Sequence, residues 1–272
     1  MIDKARELIY DADALLITAG AGMGVDSGLP DFRGVEGFWR AYPVIKDLGL
    51  RFEEMANPKW FRDQPELAWA FYGHRLNLYR ETTPHDGFKK LLEIAENKKG
   101  GYFVFTSNVD GQFQKAGFDE NKITEVHGSI NHFQCIENCN KDIWKDEDTF
   151  IKIDTKTFRA TNKLPKCPNC GAIARPNILM FGDWNWISDR TDIQSFRLQN
   201  WLDNIDENGY KLVILEFGAG LAVPTIRFFG ENIASRYDAK LIRVNPRDID
   251  VPSGAISIAL GAKDAIKTMY SL

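Results

Sequence analysis

The chain has 272 residues, a formal net charge of −4 at pH 7, 44% hydrophobic residues and 26% charged residues. This balance excludes wholesale disorder, and the lack of a basic block argues against nucleic acid or an anionic membrane as a partner. Residues 1–11 mix charges with apolar positions unlike a signal peptide, and no apolar run approaches the ~18 residues of a membrane span. Four cysteines are too few for a disulfide scaffold, so we expect a cytoplasmic protein.

Several short apolar runs are typical of buried parallel strands, because each is nearly continuous in Val, Ile, Leu or Phe. The predicted strands are residues 14–18, 102–106, 211–217, 241–244 and 255–260. Between them, apolar residues recur at helical spacing around residues 88–95 and 226–234. This alternation predicts an α/β fold with a doubly wound, Rossmann-like parallel sheet.

Two segments interrupt the alternating pattern and predict two insertions in the sheet domain. The sheet domain is assigned to residues 1–38, 84–130 and 176–272. Residues 39–83 form a small helical insertion, in which Trp69, Tyr72, Leu76 and Tyr79 recur at helical spacing. Residues 131–175 hold all four cysteines and a charged loop at 141–148, and they predict a zinc-ribbon module.

A glycine-rich segment, Gly20-Ala21-Gly22, directly follows the first predicted strand. Such a turn lets the backbone approach a pyrophosphate, although a plain tight turn has the same composition. The dehydrogenase fingerprint does not fit, since it needs glycine at position 25, where this chain has Val25. The following Asp31-Phe32-Arg33 is more specific, because it puts an aromatic ring and a cation beside the loop.

From this point the chain resembles the sirtuin (Sir2) family of NAD-dependent protein deacylases, over nearly its whole length. The motifs match in family order: G-A-G-x-S-x-x-S-G-I-P-D-F-R at 20–33, T-Q-N-I-D at 106–110, H-G at 127–128, two cysteine pairs, F-G-E at 181–183, G-T-S-L at 218–221 and I-N at 244–245. The chain departs from the pattern at three places: Gly24 for Ser, Ser107 for Gln, and Ala219-Gly220 for Thr-Ser. Each departure removes hydrogen-bonding reach towards the cofactor.

The resemblance implies that NAD+ loses nicotinamide while the acyl-lysine carbonyl oxygen attacks the ribose. A histidine then deprotonates a ribose hydroxyl, which captures the acyl group, so that lysine and O-acyl-ADP-ribose are released. His127 is the implied base, and a neutral imidazole near pH 7 suits that proton transfer. Asn108 is the second implied catalytic residue, and it lies two positions from Asp110, so both side chains can project the same way.

The remaining site residues follow from the same resemblance. Phe32 would cover the ribose, Arg33 would order the loop or meet a phosphate, and Asp110 would accept from the nicotinamide amide. The implied cofactor contacts are Gly20, Ala21, Gly22, Asp31, Phe32, Arg33, Ser107, Asn108, Asp110, Gly218, Asn245 and Ala262. Phe181 and Gly182 are implied contacts of the substrate, an acylated lysine side chain of another protein.

The cysteines form two pairs, Cys135 with Cys139 and Cys167 with Cys170. Spacings of C-x₃-C and C-x₂-C suit a tetrahedral structural zinc ion, one per chain, with no open position for catalysis. Two alternatives remain: four unrelated buried thiols, or His132 replacing Cys139 as the fourth ligand.

Within the helical insertion, Tyr72 and Arg75 resemble the Y-x-x-R signature of sirtuins that prefer acidic acyl groups such as succinyl or malonyl. Positions three apart share a helix face, so the phenol and the guanidinium can converge on a carboxylate. The alternative is a surface helix with its tyrosine on the core and its arginine in water.

Three functions compete at this stage. The first is a protein-lysine deacylase. The second is an ADP-ribosyltransferase or NAD hydrolase of the same fold, which Gly24 and Ser107 favour because a looser ribose site admits other nucleophiles. The third is a module that binds NAD or ADP-ribose without turnover, which the full set of Phe32, Asn108, Asp110 and His127 disfavours.

Overall fold

The computed structural model describes residues 1–30, 42, 45–46 and 49–270. The described strands are, in chain order, β1 Ala14–Ala19, β2 Tyr102–Thr106, β3 Ile123–Glu125, β4 Gly128–Cys135, β5 Ile143–Lys145, β6 Ile153–Asp154, β7 Arg159–Ala160, β8 Ala174–Ile178, β9 Leu212–Phe217, β10 Lys240–Val244 and β11 Ile256–Ile258. The described α-helices of four or more residues are α1 Ile2–Asp11, α2 Gly22–Val25, α3 Phe52–Met55, α4 Trp60–Asp63, α5 Pro65–Glu81, α6 Asp86–Glu96, α7 Gln112–Lys115, α8 Asp189–Glu207, α9 Thr225–Arg236 and α10 Ala262–Tyr270. No helix in this part of the chain is long and apolar enough to cross a membrane.

The main sheet has six parallel strands in the order β11-β10-β9-β1-β2-β3. Each of the five apolar runs forms one of these strands, so the prediction of a parallel sheet is confirmed. Strand β3 at the edge was not predicted. It has only three residues, and two of them, Thr124 and Glu125, are polar yet buried.

Helices cover both faces of this sheet, as expected for a doubly wound fold. Apolar residues of α1, α6 and α10 pack against one face and bury, for example, Leu15 and Ile17. Residues of α8 and α9 pack against the other face, where Leu16 and Ile214 are buried. Because β1 side chains alternate between two cores, every residue of this strand except Thr18 is apolar.

The two insertions pack against each other and share one core. The Trp69 indole of α5 donates to the Ala174 carbonyl at 3.0 Å, and its ring lies 5.3 Å from that of Phe133 on β4. Strands β5, β4 and β8 form an antiparallel sheet, so the expected charged loop 141–148 contains a short strand. The predicted boundaries at 131 and 175 fall inside β4 and β8, which connect this unit to the main sheet.

Candidate active site

The loops that follow β1 and β9 meet at the carboxyl edge of the sheet, where the strand order reverses. Gly20 N donates to the Phe217 carbonyl at 2.9 Å, and Gly22 N donates to that of Gly218 at 3.1 Å. A Cβ on Gly218, whose φ is +59°, would lie 2.4 Å from Gly22 Cα. The glycines are therefore required by the close approach of two backbones, at the place where doubly wound sheets bind nucleotides.

A cleft of about 470 Å³ opens beside these glycines, and Gly22, Gly218 and Asn245 line it. Asn245 Oδ1 accepts the backbone N–H groups of Arg247 and Asp248 at 2.9 and 3.0 Å, and its Nδ2 donates to the Ala219 carbonyl at 2.9 Å. Glycine and alanine residues form part of the wall, so a pyrophosphate could approach the backbone closely there.

Ala262 does not line the cleft, although it was an expected cofactor contact. It is buried at the start of α10, and its neighbour Gly261 lines the cleft instead. A contact between Ala262 and the cofactor therefore stays a prediction.

A second cavity of about 460 Å³ lies next to the cleft, and Ala21 and Val223 line both. Nine of the expected site residues line this cavity: Ala21, Tyr72, Arg75, Ser107, Asn108, Asp110, His127, Phe181 and Gly182. Residues distant in sequence are thus brought to one chamber by β2, the β3–β4 connection, α5 and the segment after β8.

Asn108 and Asp110 lie in the loop after β2, and the Asn108 side chain ties this loop to the first glycine loop. Asn108 Nδ2 donates to the Gly20 carbonyl at 2.9 Å, while Asp110 Oδ1 accepts from Gln112 N at 2.9 Å. Burial raises the pKa of Asp110 to about 6, with the nearby Glu125 charge adding to the rise and the Gln112 N–H opposing it. Asp110 is thus a carboxylate that ionises just below neutral pH.

His127 stands between β3 and β4, half-buried in the cavity wall. Its carbonyl accepts from Leu179 N at 3.0 Å, and Val126 N donates to the Thr106 carbonyl at 2.9 Å. Gly128 has φ +77°, and a Cβ there would lie 2.0 Å from the Asn177 carbonyl oxygen. The glycine after His127 is therefore needed for the turn that sends the chain from the main sheet into β4.

Tyr72 and Arg75 lie together on the cavity side of α5, so the surface-helix alternative is wrong. They are 2% and 9% exposed. Arg75 Nε donates to Tyr79 Oη at 3.2 Å, and its guanidinium carbon lies 5.6 Å from the Phe52 ring. Burial raises the pKa of Tyr72 above its usual range, so its phenol stays protonated and can donate a hydrogen bond.

The four cysteines converge within the small unit, and none of them lines the cavity. Their sulfur atoms lie within 4.8 Å of one another, with Cys135 and Cys170 at 3.6 Å and Cys139 and Cys167 also at 3.6 Å. Thiolates bound to one tetrahedral zinc at ~2.3 Å are separated by ~3.8 Å, so the set fits a structural zinc ion.

The surroundings of Cys167 favour its thiolate, the form that binds a metal. Burial opposes ionisation of this thiol, but the N–H groups of Cys170 and Asn169, together with the thiols of Cys139 and Cys135, lower its pKa to about 7. His132 lies opposite Lys145 on β5 and is not part of the cluster found among the described residues. Both alternatives to a four-cysteine site are therefore disfavoured.

A profile of the Sir2 family matches residues 20–192. The chain belongs to the Sir2 family. It is 33% identical over 183 residues to an NAD-dependent protein deacylase of Thermococcus kodakarensis, an alignment covering 67% of this chain and 65% of the relative. A Leptospira interrogans relative of the same name is 30% identical, with 90% and 85% covered. A solved Sir2 homologue–NAD complex has TM-score 0.72 at 25% identity, with 98% of this chain and 91% of that chain covered.

Three residues at which this Sir2 protein departs from the family pattern, Gly24, Ser107 and Gly220, lie in or beside the cavity and the cleft. A Cβ on Gly24 would lie 3.7 Å from Asp110 Oδ2, so the serine of the pattern would stand beside that carboxylate. Ser107 lines the cavity, and Gly220 lines the cleft. The expected contacts Asp31, Phe32 and Arg33 lie outside the described residues.

Sequence reasoning missed several wall residues, above all Tyr79, Val223 and Trp184. Tyr79 stands four positions after Arg75 on one helix, and this spacing is a signal that the two side chains touch. Val223 and Trp184 carry no comparable pattern, because only the fold brings them to the cavity.

Proposed function

We propose that this Sir2 protein is an NAD-dependent protein-lysine deacylase. The observation that carries the proposal is the meeting of His127, Asn108 and Asp110 in one cavity that shares Ala21 and Val223 with the glycine-lined cleft. A dinucleotide lying in the cleft would extend its reactive ribose past these shared residues towards His127. The curated relatives in the family are named for the same activity.

The polar residues that meet in the cavity then have separate tasks in the reaction. Bound NAD supplies the ribose that receives the acyl group. Asp110 accepts a hydrogen bond from the nicotinamide amide, Asn108 fixes the ribose side of the cavity, and the His127 imidazole takes a proton from a ribose hydroxyl. An acylated lysine enters between α5 and the Phe181-Gly182 segment, whose apolar lining excludes water from the reacting atoms.

A product assay tests this function against its rivals. Incubation with NAD and an acyl-lysine peptide should release nicotinamide and O-acyl-ADP-ribose in equal amounts. Free ADP-ribose without peptide deacylation would indicate an NAD hydrolase, and labelled protein would indicate an ADP-ribosyltransferase, the functions that Gly24 and Ser107 favour. Binding of NAD without any product would support a silent binding module.

We further propose that the enzyme favours succinyl- and malonyl-lysine. A carboxylate at the end of the acyl chain would meet the Arg75 guanidinium and the Tyr72 hydroxyl, both inside the cavity. Hydrogen bonds to charged groups are worth about 1.5–3 kcal/mol each, which is enough to discriminate against an acetyl group. We also propose the cytoplasm, a reducing compartment, as the place of action, because the four cysteines converge on one zinc site rather than on disulfides.

Replacement of Arg75 by methionine tests this acyl preference. Arg75→Met keeps the length of the side chain but removes its charge, so kcat/KM for succinyl- and malonyl-lysine peptides should fall at least about tenfold, with little loss for acetyl-lysine. Arg62→Met is the matched control, because Arg62 pairs with Glu137 on the surface. An acetyl preference that Arg75→Met leaves unchanged would refute the proposal.

A further inference from the structure

Part of the wall of the glycine-lined cleft comes from two segments that belong to neither a helix nor a strand. Residues 220–223 follow β9 and lead towards α9, while residues 245–248 follow β10, and both segments line the cleft. We refer to residues 245–250 as the cleft loop. Because irregular backbone lacks the repeated hydrogen bonds of a helix or a strand, the shape of this wall depends on side chains that tie its segments together.

Arg227, in the first turn of α9, ties these two segments together, and it is only 5% exposed. Its Nη1 donates to the Asp248 carbonyl at 3.0 Å, and its Nη2 donates to the Asp250 carbonyl at 2.6 Å. A planar guanidinium holds its donors in a fixed fork, so two carbonyls of the cleft loop are kept at a set position relative to the start of α9. Arg227 itself lines neither the cleft nor the cavity.

A second buried arginine supports the cleft loop from the main sheet. Arg243 of β10 donates through Nη1 to the Asp250 carbonyl at 2.5 Å. Its other donors bind Glu216, its register partner on β9, and Glu231 of α9, the latter at 2.8 Å. The charges of the two arginines are thus balanced by two glutamates. Buried ion pairs often add little net stability, because the loss of hydration offsets the attraction, so stability alone is a poor explanation for this cluster.

We infer that Arg227 is a positioning residue for the cofactor, which holds the cleft loop in the shape that receives NAD and thereby sets the affinity for NAD. The inference rests on the proposed function, in which NAD lies in this cleft with its reactive ribose towards the cavity. A loop that is already ordered loses little conformational entropy on binding, whereas a loop without Arg227 must be ordered by the ligand. The acyl-lysine enters the cavity and not the cleft, so its binding should not depend on Arg227.

Replacement of Arg227 by methionine tests this inference, because methionine keeps an apolar stem and removes both donors. In calorimetry with ADP-ribose, a ligand that has no nicotinamide to release, we expect Kd to rise at least about tenfold in Arg227→Met. Arg227→Lys retains a cation that can donate to a carbonyl, so its Kd should stay within about threefold of the wild type. Arg236→Met is the matched control and should change nothing, since Arg236 is exposed in the last turn of the same helix.

Two readouts separate positioning from a loss of folding. A variant that is merely unstable binds less ADP-ribose per chain at an unchanged Kd, whereas a loss of positioning raises Kd while each chain still binds one ADP-ribose. Amide hydrogen exchange of residues 247–250 should also become at least about tenfold faster in Arg227→Met, a larger increase than in β1, and should slow again when ADP-ribose binds.

Turnover separates this inference from the proposed function. In Arg227→Met, KM for NAD should rise while kcat and KM for the acyl-lysine peptide stay within about twofold, because uniform binding of one substrate is lost and the chemistry is not. An unchanged Kd for ADP-ribose in Arg227→Met, an equal rise in Arg236→Met, or a rise in KM for the peptide as large as that for NAD would overturn the inference. Absence of deacylation by the wild type would instead count against the proposed function, while the Kd values for ADP-ribose would still decide the role of Arg227.

Discussion

At the scale of single residues, the cavity contains two ionisable groups whose roles differ. His127 stands between β3 of the main sheet and β4 of the small antiparallel sheet, where the turn at Gly128 fixes its position. Asp110 lies in a setting that disfavours its charge. The first group is placed for proton transfer, whereas the second is placed for binding.

Replacement of His127 by alanine should abolish acyl transfer while leaving NAD binding intact. A positioned general base contributes about 10²–10⁴-fold to rate, so we expect kcat to fall at least about 100-fold. The measurement is peptide deacylation beside NAD binding by calorimetry. His132→Ala provides a control, since His132 is half-buried on β4 outside the cavity; near wild-type deacylation by His127→Ala would remove this residue from the mechanism.

Replacement of Asp110 by asparagine should stabilise the fold in a pH-dependent manner. The folded state holds the pKa of Asp110 at about 6, above its unfolded value, so the ionised carboxylate destabilises the protein above that pH. Asp110→Asn should therefore raise the free energy of unfolding by about 1–3 kcal/mol at pH 8. The gain should shrink as pH falls from about 6 towards 4, where the wild-type carboxyl is protonated in the folded state.

Urea unfolding of both proteins at several pH values measures this difference. All other ionisable groups are present in both proteins, so their contributions to the pH dependence of unfolding cancel when the two proteins are compared. A stabilisation independent of pH would show that the charge of Asp110 is not its cause. Affinity for NAD should fall in the same variant, because an asparagine amide presents one acceptor oxygen where the carboxylate presents two.

At the scale of the elements, the crossing of the β1 and β9 loops sets the geometry of the cofactor cleft. Gly218 and Gly209 have nearly equal φ angles, +59° and +61°, but a Cβ clashes only at Gly218 and meets nothing within 4 Å at Gly209. Replacing each of these two glycines by alanine therefore separates the effect of backbone strain from the effect of the close approach of two loops.

Gly209→Ala should cost about 1 kcal/mol, the strain of a left-handed residue. Gly218→Ala carries the same strain and must also push the two loops apart, which should cost a further ~1–3 kcal/mol and weaken NAD binding. Thermal unfolding and NAD titration of both variants check this. Equal losses in the two variants would show that the loops are not in tight contact.

The elements also show what the sequence can and cannot predict. Apolar runs such as residues 14–18 identify strands because burial on both faces demands continuous apolar character. Strand β3 was not predicted from the sequence, because the burial of Glu125 depends on hydrogen bonds to its carboxylate from Arg190 and Gln194 of α8. These partners lie more than sixty positions away along the chain. The motifs likewise placed His127 and Asp110 in one site, whereas Trp184 reaches the rim only through the fold.

At the scale of the whole molecule, the zinc site and the main sheet belong to different units. Zinc should bind at one ion per chain, and its removal should destabilise β4 and β8 before β1 and β9, because metal binding contributes directly to the folding free energy of a small module. Hydrogen exchange with and without a chelator would compare the two sheets. Cys170→Ser should lower the zinc content, and active protein free of zinc would contradict the assignment.

The central position of β1 has a consequence for how the chain folds during synthesis. Its two partners begin at Tyr102 and Leu212, so one edge of this strand, which is apolar except for Thr18, stays unpaired until residues 212–217 have been made. An unpaired apolar edge is a template for aggregation. Nascent chains that end before β9 should therefore depend on chaperones, and the slow step of refolding should be the docking of residues 212–217 beside β1.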